Sequence, residues 1–489
     1  MRVILAGYNV DVELLGRVRE ALGAEAEQLT PETLSAAYAR ISRNPAPVDE
    51  LRRQARQEVA RARASNEQII FDMGHASVAE HAVFNFDLIG ISRLCIEAVE
   101  HSRLCSYTEK SQRYIRLRDD HVLPAEVVAA GMRHQFEEVV GLQNRTYHVL
   151  FEKLRERVFA DNAELAADKS NRRMIEGWAK EDARYVTGLC TEGQLGMTLN
   201  ARNLERMIRR LAGSSLQEVR ELAAALHASA LEVAPSLVRH TEPSPEELEA
   251  QRQLGQQAQR IVGAEGDQTL PGATGAVQLV AHTPEADLHM LTALLHGASS
   301  APWTACDVRA RALDPSARRE LVRTALRGMG PHDSAPRALE HVCFELDVVV
   351  SAACFGQLKR HRMASLLVQP YDPALGYTMP RTVEQAGMTR DFQQVMAQST
   401  HLFEKLLPQH WQAAAHALTQ AHRRRVLVRM NGRELYHFSR LRQDAHAQWD
   451  IRALADRMIY LCQQVAPLTL MLACGKDTFE QRRAEVYGE

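Results

Sequence analysis

Residues 79–88, AEHAVFNFDL, and residues 339–348, LEHVCFELDV, share a Glu-His pair, a phenylalanine three residues after the histidine, and an apolar alternation. Alternation with period two is what a half-buried strand requires, so both segments are expected to be β-strands. Two further pairs recur in the same order. LTPETLSAAYARIS, from Leu29, answers to HTPEADLHMLTALLHGAS, from His282, with Thr30 and Thr283 as N-caps and Pro31 and Pro284 at the first helical position. LNARNLERMIRRLAGSSLQ, from Leu199, answers to RMNGRELYHFSRLRQDAHAQ, from Arg429, and Asn200 and Gln217 stand at the same spacing as Asn431 and Gln448. Three ordered matches imply an internal duplication. The chain therefore reads as two copies of one module, residues 1–240 and 276–489. Residues 241–275, rich in Pro, Gly, Glu and Gln, form the linker.

The chain has 489 residues, 45% hydrophobic and 25% charged, enough to bury a large core in two or more domains. Its formal net charge of -2 provides no overall field for nucleic acid or an anionic membrane, so any bound anion must meet a local cluster. No apolar run reaches the roughly 18–20 residues of a transmembrane helix, and MRVILAGYNV lacks a signal-peptide pattern; the reading is cytoplasmic. Eight cysteines show neither a C-x-x-C pair nor zinc-ligand spacing, so no metal site is expected and the thiols read as buried and free. Amphipathic helices are expected in VDELRRQARQEVARARASNEQIIF, QEVRELAAALHASALEV and DIRALADRMIYLCQQV, and strands in RVILAG, AVFNFDLIG, VQLVAH and VCFELDVVV. HRRRVLVR, residues 422–429, reads as a solvated helix face rather than an RNA-binding patch.

The copies differ where their polar residues cluster. QLKRHRMASLLVQPYD, residues 357–372, carries Arg360, His361 and Arg362 where the first copy has His101, Ser102 and Arg103. The first copy instead carries EKSQRY, residues 109–114, where the second has VQPYDP. Each copy holds what the other lacks. Gln357 and Arg360, three residues apart, would share a helix face, with Arg362 directed elsewhere. Guanidinium forks of this kind suit phosphate oxygens.

The segments KRHRMAS and MNGRELYHFSRLRQDAHAQWDIRALA, supported by GHASVAEHAVFNF and SQRY, resemble the flavin-dependent thymidylate synthases over most of both halves. The resemblance implies an α+β fold: two tandem modules, each a small mixed or antiparallel sheet flanked by helices, packed as a pseudo-dimer. It also implies FAD as cofactor, dUMP as substrate, and methylenetetrahydrofolate and NADPH as co-substrates. A homodimer would then rebuild the family's tetramer. Carried over position by position, nucleotide contacts fall on Gln357, Arg360 and Arg442 in the second copy and on Glu109, Ser111, Gln112, Arg113 and Arg184 in the first, with Arg442 and Ser111 in the catalytic roles. FAD contacts fall on His75 and Ser77 in the first copy, and on Arg360, His361, Arg362, Asn431, Arg433, His437 and His446 in the second; His437 departs from the asparagine expected there. The reciprocal site would draw on Ala98, His101, Leu211, Val368, Pro370, Asp372 and Ala415, a set that cannot hold a phosphate or a uracil. One working site and one dead site per chain are expected. Two alternatives remain open at this point: another flavin-dependent modification of a pyrimidine nucleotide at C5, and a non-catalytic nucleotide- or flavin-binding protein.

Overall fold

The computed structural model describes residues 9–41, 44–263 and 277–488. Among them two antiparallel sheets form. The first contains β1 (Val83–Ser92), β2 (Ser106–Glu109) and β3 (Glu192–Asn200) in the order β1-β3-β2. The second contains β4 (Val277–His282), β5 (Cys343–Ser351), β6 (Ser365–Tyr371) and β7 (Arg423–Asn431) in the order β4-β5-β7-β6. The registers correspond residue for residue. Phe84 lies opposite Leu199 as Phe344 lies opposite Met430, and Ser106 opposite Thr198 as Ser365 lies opposite Arg429. The first copy has one more residue in its leading strand. A bulge between Ile89 and Ile91 absorbs it, with Gly90 at φ 77°, a conformation that suits a residue without Cβ. The fold is thus α+β in two tandem modules.

The helices that position the site are α1 (Arg93–Glu100), α2 (Arg172–Ala183), α3 (Ala352–Leu358), α4 (Thr389–Ala414), α5 (Gly432–Arg442) and α6 (Trp449–Val465). In both copies a strand ends in serine and turns directly into a helix. The Ser92 hydroxyl accepts the Cys95 N–H at 3.0 Å, and the Ser351 hydroxyl accepts the Cys354 N–H at 3.0 Å, each an N-cap. The copies then meet through reciprocal peptide hydrogen bonds: Leu189 N–H to Leu418 O at 2.8 Å, and Gln420 N–H to Thr187 O at 3.0 Å. Gly188 faces Thr419, its own counterpart, so a local two-fold axis passes between them. Each copy has its own apolar core, and two more cores are shared; in one, Tyr147, Leu150, Phe151 and Ile175 of the first copy pack with Phe392, Val395 and Met396 of the second.

The strands expected in AVFNFDLIG, VQLVAH and VCFELDVVV are present; RVILAG lies outside the described residues. HRRRVLVR is not a helix face but most of β7, an interior strand of the second sheet. Its period is two: Val426 and Val428 are buried, while Arg425 and Arg429 on the other face pair with Asp347 at 2.9 Å and Glu345 at 3.1 Å. Charge on one face concealed the alternation. Thr283 is not an N-cap either. Its hydroxyl accepts the Cys343 N–H at 3.0 Å, and the helix Ala286–Ala298 starts from Glu285, at φ 46°. The Thr30 hydroxyl does accept the Glu32 N–H, at 3.3 Å. Within the segment read as linker, Pro245–Gly263 is helical, and residues 264–276 lie outside the described ones. No helix among the described residues is long and apolar enough to cross a membrane.

A Cβ on Gly188 would stand 2.6 Å from Gln143 Oε1 and 2.8 Å from Cys190 Sγ. Gln143 cannot yield freely, because its Nε2 donates to Ser399 Oγ at 2.8 Å and Ala417 O at 2.9 Å inside the shared interface. Gly188→Ala is expected to destabilise the chain by about 1–3 kcal/mol, read as a lower urea midpoint. Gly196→Ala, whose Cβ would meet nothing within 4 Å, serves as the control and should change stability by about 0.5 kcal/mol or less.

Candidate functional site

Polar side chains from both copies converge on one cavity of about 180 Å³ where the copies meet. β2 ends at Glu109, and the turn after it supplies Lys110, Ser111, Gln112 and Arg113. The turn after α2 supplies Arg184; α3 and the residues just beyond it supply Gln357 and Arg360; the end of α5 supplies Arg442. All eight side chains assigned to nucleotide contact thus line one cavity within a single chain. Gln357 and Arg360 do so although α3 stops at Leu358, because Arg360 N–H donates to Gln357 O at 3.3 Å and continues the turn.

The cavity is cationic. Arg93, Lys110, Arg113, Arg184, Arg360 and Arg442 line it against one carboxylate, Glu109. Some of that charge is neutralised: Arg360 reaches Glu100 at 2.7 Å and Glu109 at 2.6 Å, Arg93 pairs with Glu109, and Arg113 pairs with Glu181. Burial alone would push the Glu109 carboxyl up, but Arg93, Lys359 and Arg360 outweigh it and hold the group below its ordinary value. Arg184 is 7% exposed, and its Nε and Nη2 have no hydrogen-bond partner among the described residues. Burial lowers its pKa. Arg442 is pushed down to about 10 by burial and by Arg113 and Arg360. An anion entering the cavity would relieve both.

Two networks fix the walls. Arg442 Nε donates to His361 Nε2 at 2.9 Å and Nη2 donates to Gln357 O at 3.2 Å. With Nε2 accepting, His361 carries its proton on Nδ1, which faces Glu434 Oε1 at 3.2 Å. Burial, with Arg442 and His437 nearby, holds this imidazole well below its usual pKa and keeps it neutral. The second network runs from Ser351 and Tyr185, which donate to Asp450 at 2.6 and 2.9 Å, through Gln448 Nε2 to the Tyr185 oxygen at 2.9 Å, and from Gln357 Nε2 to Gln448 Oε1 at 3.2 Å. Gln357 Oε1 is left buried, with no hydrogen-bond partner among the described residues. Burial also raises the Cys354 thiol well above its normal value, so it offers no thiolate.

The residues assigned to the flavin are spread more widely. Arg362 donates to Cys105 O, Arg433 pairs with Glu340 at 2.5 Å, and His446, exposed, pairs with Asp444 at 2.8 Å. The Asn431 side chain caps α5 by accepting the Glu434 N–H at 2.8 Å, and the His437 ring centroid lies 5.5 Å from that of His361. His75 and Ser77 are exposed and do not line the cavity; their turn packs on the helix Glu32–Arg40 and on β3, within the first copy. Motif reading missed Arg93 and Lys110. Arg93 shares the otherwise apolar run LIGISRLCIEAV with Glu97, and its counterpart is Ala352; a charge present in one copy only was the available signal.

A second cavity, of about 410 Å³, occupies the reciprocal position. Ala98, His101, Val368, Pro370 and Ala415 line it; Leu211 and Asp372 do not, and Asp372 instead accepts the Ala374 N–H at 2.9 Å. Glu97 stands where the first cavity has Gly356, and it pairs with Arg424 at 2.8 Å.

Comparison with known proteins agrees with the duplication. The family model for thymidylate synthase complementing protein (Thy1) matches twice, over residues 26–236 and 278–468. Flavin-dependent thymidylate synthase of Clostridium tetani is 28% identical over 217 residues, covering 44% of this chain and 83% of that protein. The protein of the same name in Geobacter sulfurreducens is 30% identical over the same coverage, 44% and 83%. That of Pyrococcus furiosus is 32% identical over 155 residues, 32% of this chain and 57% of that protein. A crystal structure of a UMP/dUMP methylase PolB from Streptomyces cacaoi, bound with 5-Br dUMP, aligns with 42% of this chain and 95% of its own at 19% identity and a TM-score of 0.32. With both halves matched by one family model, the chain belongs to the thymidylate synthase complementing protein (Thy1) family, as two tandem copies in a single polypeptide.

Proposed function

We propose that the chain methylates dUMP to dTMP with FAD, taking the one-carbon unit from methylenetetrahydrofolate and reducing equivalents from NADPH, at one composite site per chain. The observation that carries this reading is the buried guanidinium of Arg184, whose Nε and Nη2 meet no partner among the described residues, in the same cavity as Gln357 Oε1, which likewise meets none. Buried donors and acceptors left open are costly unless a ligand meets them. A uridine monophosphate carries phosphate acceptors for the one and a ring N–H for the other. Arg113, Arg184 and Arg360 would hold the phosphate through charge-assisted bonds, with Ser111 and Gln112 at its rim. Arg442, aimed by neutral His361, would face the pyrimidine carbonyls and offset the negative charge that develops on the ring as C5 attacks the one-carbon donor.

The relatives are named for a flavin, and the donor set of Arg362, Arg433, His437 and His446 suits the diphosphate of a flavin dinucleotide. When bound, the flavin would supply the hydride that completes the methyl group. His75 and Ser77 pack with the first copy, away from the cavity lining, so they would serve the flavin of a second chain; a homodimer would then contain four modules.

Three measurements test this reading. Arg442→Ala should lower kcat for dTMP formation by about 100-fold or more with an unchanged circular dichroism spectrum; a variant of near-normal rate would remove Arg442 from the mechanism. Calorimetric titration should give one dUMP per chain, weakened about 10- to 100-fold by Arg184→Met. Two equal sites would overturn the model of one working cavity. Tritium release from C5-labelled dUMP without dTMP would point to a different C5 modification, and dUMP binding with no release to a binding protein.

A further inference from the structure

We propose that the second, reciprocal cavity is a ligand site in its own right, for an aromatic monoanion. Nucleotide chemistry has left it: the counterparts of Arg184, Arg360, Glu109 and Ser111 are Ala415, His101, Val368 and Pro370. Yet it has not filled in. At about 410 Å³ it is larger than the cationic cavity and within the range of small-molecule sites, roughly 300–1,000 Å³.

Its lining sets the chemistry of the occupant. Glu97 is already satisfied, accepting from the Tyr371 hydroxyl at 2.8 Å and from Arg424 at 2.8 Å. Arg424 is satisfied in turn and lies 4.0 Å from the centroid of the Tyr371 ring. That leaves Arg210, which also lines the cavity. Its Nη2 donates to Ala98 O at 2.7 Å and Ser102 Oγ at 3.2 Å, and no carboxylate among the described residues pairs with it. Arg210 is exposed, and a cation without a carboxylate partner favours an occupant that carries a negative charge. The remaining wall is apolar and partly aromatic. Trp411 and Leu407 line it while 54% and 43% exposed, large hydrophobic areas for a surface position. They flank a kink in α4, where Pro408 interrupts the helix and His410 departs to φ -142°, ψ 54°. An aromatic body against Trp411, Leu407 and Phe355 would remove that area from water, with its anionic group at Arg210.

None of these groups belongs to the nucleotide cavity, so the proposal stands apart from the catalytic reading. The probe is anilinonaphthalene sulfonate, an aromatic monoanion, with phenylnaphthylamine as its uncharged counterpart, each titrated into the full chain by fluorescence with and without saturating dUMP. The expected result is one saturable sulfonate site per chain, undisturbed by dUMP. Arg210→Gln should weaken the sulfonate about tenfold and leave the amine unchanged, whereas Leu407→Glu should weaken both. Thermal melting checks that each variant is folded; if Leu407→Glu is not, Trp411→Ala replaces it, with the same loss of both probes expected. Sulfonate binding that fails to saturate, that survives Arg210→Gln unchanged, or that dUMP displaces would overturn the proposal.

Discussion

The two reciprocal peptide hydrogen bonds across Gly188 and Thr419 are the constraint on which the rest depends. They fix the copies back to back at a point where neither contributes a side chain large enough to separate them. Everything polar then follows from proximity to that axis. Arg93 N–H donates to Thr191 O just as Ala352 N–H donates to His422 O, so α1 and α3 both start beside the axis. Arg93 of α1 and Ala353 of α3 thereby reach the opposite copy, while Cys95, Ile96 and Val99 and their counterparts Cys354, Phe355 and Leu358 pack into each copy's own core. The cationic cavity exists because β2 of the first copy and α3 of the second are held at one register.

Gathering six cations around a small cavity is unfavourable unless their charge is distributed. The protein manages this with two carboxylates set behind the wall, Glu100 and Glu181, and one within it, Glu109. Glu100 takes both Lys359 and Arg360, Glu181 takes Arg113, and Glu109 is shared by Arg93 and Arg360. Arg184 and Arg442 are the guanidiniums left without an acidic partner among the described residues, and both are shifted downward by burial. An anion in the cavity would offset the cost of holding them charged.

The duplication was legible because strand alternation and the Asn–Gln spacing survive in both copies, and the pairing registers follow from them. The cavity residues were legible only through motif likeness and the complementary losses of the two copies. What remained hidden lay in tertiary contact. The alternation of β7 is masked by arginines whose partners, Asp347 and Glu345, lie on a neighbouring strand distant in sequence. Arg93 belongs to no motif, and its place in the cavity depends on a gap on another helix. No local pattern shows that the Arg184 side chain is buried without a partner.

That gap shows what fusion of two copies permits. A Cβ on Gly356 would stand 3.1 Å from Arg93 Nη2, close enough that the guanidinium would have to shift, so the bare backbone at 356 makes room for the arginine of the other copy. The counterpart of Gly356 is Glu97, and the counterpart of Arg93 is Ala352. In an assembly of identical subunits one sequence must serve both cavities, and an arginine that needs a glycine opposite could not coexist with a glutamate at that same position. With two copies in one chain, the positions vary separately. One cavity can keep Gly356 and the cations, while the other takes Glu97, closes an ion pair with Arg424, and surrounds it with aromatic surface. The same two helices then serve different chemistry on either side: α1 lends Arg93 to one cavity and Glu97 to the other, and α3 lends Gln357 to one and Phe355 to the other.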